Sequence, residues 1–354
     1  MAASPSPRSH RHRRAGHAIA AYGLLALTAL LFLVFSIALP ETFPTRDNIS
    51  SILFNQSIPA ILALGATVPI VTGQFDLSIG YGLGLAHVLV LQLIVTNGLP
   101  WPLACLAVIL GGTVVGVLNG VIVEFARIDS FIATLGTGTI MYALTGWITG
   151  GSRITPGPHG LPAAFPDLYD STFLGLPRPA YSVLALAASL WVLLERLPLG
   201  RHLYVIGSNP RAAALLGLPT RRYSIYAFAV SGLVVGCAGV LLAAQQQLSN
   251  PSVGIDYLLP AFVGALLGST AIKPGRPNAI GTVVAVTVLA VGLAGIGELG
   301  AQFWVIPLFN GGTLLLAVGL AGYSNRRRLR IGATTARESP PPQSTANGAP
   351  RSTP

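Results

Sequence analysis

Long apolar runs divided by short polar breaks dominate the chain. A helix needs about 20 apolar residues to cross a bilayer, and stretches of that order lie at 18–39, 50–72, 77–96, 102–123, 130–150, 179–195, 223–245, 257–272, 279–297 and 303–322. Several are short or rich in glycine, as in helices that pack closely or break inside a membrane. The pattern predicts an all-α polytopic membrane protein of about ten transmembrane helices. A basic N-terminal tail, 1–17, precedes a transmembrane domain at 18–322. The remainder, 323–354, reads as a basic stretch (Arg326, Arg327, Arg328, Arg330) followed by a disordered Ser/Pro-rich tail.

Composition agrees with a lipid solvent. The 354 residues are 52% apolar and 9% charged, with a mean hydropathy of +0.67, whereas a soluble domain carries about 25% charged residues. The net charge of +10 does not point to nucleic acid, because the basic residues occupy short loops and tails and build no continuous basic face. Their placement fixes an orientation instead. With both termini cytoplasmic and the spans alternating, all of the 21 Lys and Arg residues except Arg46, Arg153 and Arg178 fall inside, while Glu41, Asp47, Asp167, Asp170, Asp256 and Glu298 fall outside. This is the positive-inside bias. Trp101, Trp147, Trp191 and Trp304 fall near predicted helix ends, where indoles favour the headgroup layer. The first apolar run exceeds the core of a signal peptide and reads as an uncleaved helix. Cys105 and Cys237 lie in apolar runs without metal-ligand or redox spacing and read as core residues.

Three features carry candidate chemistry. Asp76, in Gly73-Gln74-Phe75-Asp76-Leu77-Ser78-Ile79-Gly80, is a carboxylate between two apolar spans. It reads either as a cap on the following helix or as part of a translocation path or gate. The loop 196–222 contains Asn209, a good N-cap, then Pro210 and, seven residues on, the helix stop Gly217, which predicts a helix of about two turns. Arg201, Arg211, Arg221 and Arg222 surround it. On residues alone it is equally a membrane-surface connector or a docking helix. Polar residues inside spans, namely Asn55, Gln56, Thr67, Asn119, Thr134, Thr137, Gln245 and Gln246, suit a cavity for a neutral polyhydroxylated solute, or else interhelical hydrogen bonds. No Walker A sequence, metal cluster, nucleophile constellation or proton relay is evident, so energy must come from another subunit or the chain is a secondary transporter of a small neutral solute.

Three ordered motifs resemble the ribose-type permeases of ATP-binding-cassette (ABC) importers. They are Gly65-Ala66-Thr67 leading into Thr72–Gly80, Gly116-Val117-Leu118-Asn119-Gly120 with Phe131-Ile132-Ala133-Thr134-Leu135-Gly136, and Gly200–Asn209 running on to Ala212, Ala213 and Gly217. The resemblance covers about 48–322 and implies a non-enzymatic permease of the bacterial cell (inner) membrane for a monosaccharide or related polyol. It implies no cofactor of its own, ATP being bound by a cytoplasmic ATPase, together with an extracytoplasmic sugar-binding protein and a second permease copy or paralogue. The path or gate is then expected at Gln56, Thr67, Asp76, Ser78, Asn119 and Thr134, and the ATPase-coupling loop at Gly207, Asn209, Arg211, Ala212, Ala213 and Gly217. Departures from the family pattern are Gln74-Phe75 before the aspartate, and Ala261–Arg276, which lacks the family's glycines and ends in Ile272-Lys273-Pro274-Gly275-Arg276.

Overall fold

A computed structural model describes residues 7–316 except His159, together with Gly319. Among the described residues the regular structure is helical apart from one small hairpin. Its helices are α1 (Pro7–Ala38), α2 (Arg46–Val71), α3 (Ser78–Leu91), α4 (Trp101–Ala126), α5 (Ser130–Thr149), α6 (Asp167–Asp170), α7 (Arg178–Trp191), α8 (Pro198–Ser208), α9 (Pro210–Leu215), α10 (Thr220–Gln246), α11 (Val253–Gly268) and α12 (Ala279–Glu298), followed by α13 (Val305–Leu316). Single π-helical turns extend α3 through Gln92–Thr96 and α7 through Val192–Arg196. The strands β1 (Thr172–Phe173) and β2 (Leu176–Pro177) pair antiparallel ahead of α7. The tail at 323–354 lies outside the described residues.

Seven helices are long and apolar enough to cross a bilayer, and the bent pair formed by Arg178–Arg196 and Pro198–Ser208 raises the number to eight. Length therefore sustains seven or eight crossings where the apolar runs suggested about ten. The other two runs hold the shorter helices α11 and α13. In α11 the shortfall has a visible cause. After α10, residues 247–252 turn back into the bundle, where the Asn250 amide donates to His87 Nε2 of α3 at 3.2 Å. Gly254, at the start of α11, then packs against the backbone of Gly80 and Gly84. The descent into the bundle is made by irregular chain, in which Ser249 is buried and Asn250 half-buried with polar groups that find partners in the protein, so α11 needs fewer residues.

The most buried of the long helices is α10, with 72% of its apolar window inside the molecule, against 6% for α1. Packing explains α10. A Cβ at Gly112 would lie 2.6 Å from the Gly232 carbonyl, and one at Gly232 would lie 2.2 Å from the Gly112 carbonyl. The α4 and α10 backbones therefore touch, which only glycine allows at that crossing. By contrast α1 leans on α12 through Phe35, which fills the space over Gly295, and through a small cluster of Phe35, Phe43 and Val291.

The loops sort into two groups, matching the alternation deduced from charge. Among those assigned outside, Thr42 donates to Glu298 at 2.8 Å, Gln247 to Asp170 at 2.9 Å, and the Ile154 amide to Ser249 Oγ at 2.7 Å. Among those assigned inside, Lys273 pairs with Glu195, the Phe75 amide donates to Ser130 Oγ at 3.0 Å, and the Arg221 guanidinium lies 5.7 Å from the Phe125 ring.

Candidate functional site

The end of α2 sets the geometry. Gly73 has φ +80°, and the amides of Gly73 and Gln74 close back onto the carbonyls of Ile70 and Pro69 at 3.0 Å each, a Schellman-type stop that needs a left-handed residue. The chain then rises into the bundle, because its next amides find partners on α5: Phe75 N donates to Ser130 Oγ, and Leu77 N donates to Thr134 Oγ1 at 2.9 Å. Thr134 Oγ1 in turn donates to the Ser130 carbonyl at 2.6 Å.

This lift carries Asp76 away from the helix ends. Its partner Ser231 lies about three turns inside the start of α10, and Asn119, which reaches it through Ser78, lies about two turns inside the end of α4. The carboxylate is fully surrounded. Oδ1 accepts from the Ser78 amide at 3.1 Å and from the Ser78 hydroxyl, and Oδ2 accepts from the Ser231 hydroxyl at 2.7 Å. Asn119 Nδ2 donates to Ser78 Oγ at 2.8 Å, which leaves the serine proton free to point at the carboxylate. Asp76 combines a capping bond with a place on a cavity wall. It caps the first amide of α3, and it also lines, with Ser78, Asn119, Gly112 and Gly232, a largely apolar cavity of about 190 Å³.

Of the six residues expected in the path, the structure brings Asp76, Ser78, Asn119 and Thr134 into one network and places two elsewhere. Thr67 joins α2 to α12 through a hydroxyl contact with Thr282 at 2.9 Å. Gln56 lines a separate cavity of about 220 Å³ with Ala60, Val183 and Val286. Ser130 and Ser231 belong to the network and were not anticipated. Ser130 opens the Phe131–Gly136 motif, a signal that was available, whereas Ser231 stands out only through the adjoining Gly232.

The predicted helix in the inner loop is α9, six residues long. Asn209 Oδ1 accepts from the Ala212 amide at 3.0 Å, Pro210 takes the first position, and Gly217 ends it at φ +78°. Ala213 is buried and anchors the helix, Ala212 is half-buried, and Arg211 and Gly217 are exposed. Leu215 and Leu216 were overlooked, although they are 91% and 76% exposed at the tip. Gly207 faces the other way. A Cβ there would fall 2.0 Å from the Val71 carbonyl oxygen, so the last turn of α8 lies directly on the end of α2, a few residues before Asp76. The 269–278 connection clamps α8 as well. Arg276 stacks 3.5 Å over the Tyr204 ring, Tyr204 donates to the Pro277 carbonyl at 2.6 Å, and Lys273 pairs with Glu195 on the π turn of α7 that leads into α8.

A bundle of membrane-spanning helices with a polar cluster on an internal cavity, linked to a small protruding helix at one end, defines a multi-pass membrane transport protein. The particular family follows from comparison with known proteins. The chain belongs to the family described as "Branched-chain amino acid transport system / permease component", whose model matches residues 48–318. It is similar to the ribose import permease protein RbsC of Bacillus subtilis, 34% identical over 82% of this chain and 88% of that one. It is also similar to the autoinducer 2 import system permease protein LsrD of Escherichia coli, 30% identical over 83% and 90%, and to the D-allose transport system permease protein AlsC of E. coli, 27% identical over 84% and 90%. No solved structure matches it.

Proposed function

We propose that this chain is the membrane permease of an ATP-driven importer for a monosaccharide or a related small polyol, delivered by an extracytoplasmic binding protein and moved through a dimer with a second permease copy or paralogue. The named cargoes of its relatives, ribose, allose and autoinducer 2, support that substrate class, as does a cavity whose polar end offers hydroxyl and amide groups beside one carboxylate. In this reading ATP binds to a separate cytoplasmic ATPase that docks on α9 through Arg211, Leu215 and Leu216.

The observation that carries the proposal is the junction of Gly207 with Val71. Motion imposed on α9 passes along α8 into the end of α2 and so into the turn that holds Asp76. Closure of the ATPase pair then switches the network between two arrangements, one open to each side. Substrate hydroxyls compete for the donors that Ser78, Asn119 and Ser231 offer, and passage requires that these bonds exchange readily. A secondary transporter would need an ion-coupling relay in place of a docking helix.

The test is purification from native membranes in mild detergent, with ATP hydrolysis measured on the complex and ribose uptake measured after reconstitution with ATP. A co-purifying ATPase with two nucleotide sites is the expected result. A preparation that carries no ATPase even after crosslinking, yet accumulates solute in liposomes, would replace the importer with a secondary transporter.

A further inference from the structure

The hairpin ahead of α7 is an apolar tip on a lobe assigned to the outside. Its two turn residues, Leu174 and Gly175, have φ of 48° and 79°, the geometry of a primed two-residue turn. Asn, Asp or Gly suits the first position, and a leucine there is a conformational outlier. Leu174 is nevertheless 83% exposed and Phe173 59% exposed, and no charged residue falls between Ser171 and Pro177.

The depth of this tip is set by α7. With its π turn, α7 runs from Arg178 to Arg196, about 28 Å of rise, which matches a hydrocarbon core of about 30 Å. Arg178 therefore marks the outer boundary, and the hairpin does not rise away from it. The Tyr181 hydroxyl donates to the Phe173 carbonyl at 2.8 Å, and the two rings meet edge-on with centroids 5.9 Å apart. Leu176 lines the same cavity as Ala180, Val183 and Leu184. The hairpin thus doubles back along the first turns of α7, on the face that continues into Leu184, which is 55% exposed. The ladder between the strands satisfies backbone groups that the interface would otherwise leave bare. The exposed Arg178, whose Nη1 donates to the Asp167 carbonyl at 2.7 Å, stands at headgroup level.

We infer that the Phe173–Leu176 turn inserts into the outer-leaflet interface, so that lipid, and not a soluble partner, covers its apolar tip. The continuity of this patch with the exposed apolar side of α7, a helix of bilayer-spanning length, selects that occupant. The inference rests on the chain crossing a membrane and is independent of what it transports.

The test is spin-label accessibility on the full chain in phosphatidylcholine–phosphatidylglycerol nanodiscs, with Cys105→Ala and Cys237→Ala as background. Labels are placed at Leu174→Cys, at Phe173→Cys as a site free of the turn strain, and at Gly157→Cys, an exposed position on the same lobe with open space around it. Collisions with oxygen are expected to exceed those with a water-soluble nickel chelate severalfold at 173 and 174, with the order reversed at 157. Chelate access at 173 and 174 equal to that at 157 would overturn the inference and assign the hairpin to an aqueous partner such as a binding protein.

Discussion

The turn at Asp76 and the tip of α9 are both short connections at glycine-ended helices, and they are finished in opposite ways. At Asp76 the amides of Gly73, Gln74, Phe75, Leu77 and Ser78 all donate within the chain, and three donors converge on the carboxylate. At α9 the backbone is equally closed, with the Leu216, Gly217 and Leu218 amides returning to the carbonyls of Ala212, Ala214 and Ala213. The side chains there are bare, however, and two adjoining leucines stand in the open. Exposed apolar side chains on a rigid, capped support are what an interface with another chain requires, whereas a saturated buried polar network fixes one internal arrangement. The first region is completed by this chain, and the second is the surface that the proposed ATPase would cover.

The sharpest way to break that contrast is to charge the tip. Leu215→Asp combined with Leu216→Asp is expected to abolish co-purification of the ATPase and to lower uptake more than 100-fold, a loss of about 2.8 kcal/mol or more at the conversion of about 1.4 kcal/mol per decade. Neither side chain contributes to the core, so membrane insertion and thermal stability of the isolated chain should stay as in the wild type. A variant that keeps its ATPase would remove the docking role from α9. Asp76→Asn is expected to act the other way round. The amide retains a single acceptor oxygen and turns a donor toward Ser78 or Ser231, stranding a buried group at a cost of about 1–3 kcal/mol. Uptake should fall roughly tenfold or more by that same conversion while the ATPase still co-purifies. Normal uptake would reduce Asp76 to a dispensable cap.

Gly207→Ala probes the bridge between the two regions. The added methyl would lie 2.0 Å from the Val71 carbonyl oxygen, a backbone atom that cannot swing aside, so α8 must lift from α2. ATP hydrolysis is expected to continue while solute moved per ATP falls severalfold, measured as paired uptake and phosphate release in liposomes. An unchanged ratio would show that force reaches Asp76 by another route.

The contrast also marks how far sequence reading reached. The helical membrane class, the two-sided distribution of loops and the cap at Asn209 were all legible, because each depends on local composition or on residues a few places apart. Four of the six residues expected in the path could be grouped because they fall in short motifs. Gln56 and Thr67 share polarity with them but face other helices, and polarity alone does not reveal which way a residue points within a buried span. Ser231 was illegible for the converse reason: a serine is unremarkable until a fold brings α10 beside Asp76. The count of about ten is not confirmed at α11, because hydropathy cannot distinguish a helix of full spanning length from a shorter one preceded by an irregular descent.

The smallest expected effect tests whether the inner loop that departs from the family pattern shapes the bridge. Lys273, the only lysine in the chain, pairs with Glu195, and the two side chains are 44% and 14% exposed. A partly exposed pair contributes about 0.2–1 kcal/mol after solvent screening, so Lys273→Gln should lower coupling by no more than about fivefold at the conversion above. The effect should weaken further as ionic strength rises, since exposed charges are screened within about 10 Å at 0.1 M salt. Arg276 is held differently, stacked at 3.5 Å on Tyr204, and contact with a ring is less sensitive to salt. Arg276→Ala should therefore cost at least as much at every salt concentration. The decisive comparison is the swap of Lys273→Glu with Glu195→Lys. If the pair acts by holding the α7 turn that leads into α8, the swap restores much of the coupling lost by either single change, because the ion pair is re-formed with reversed polarity. If the two single losses simply add, Lys273 serves only the general positive charge of the inner face, and the bridge from α9 to Asp76 runs through Gly207 without help from this loop.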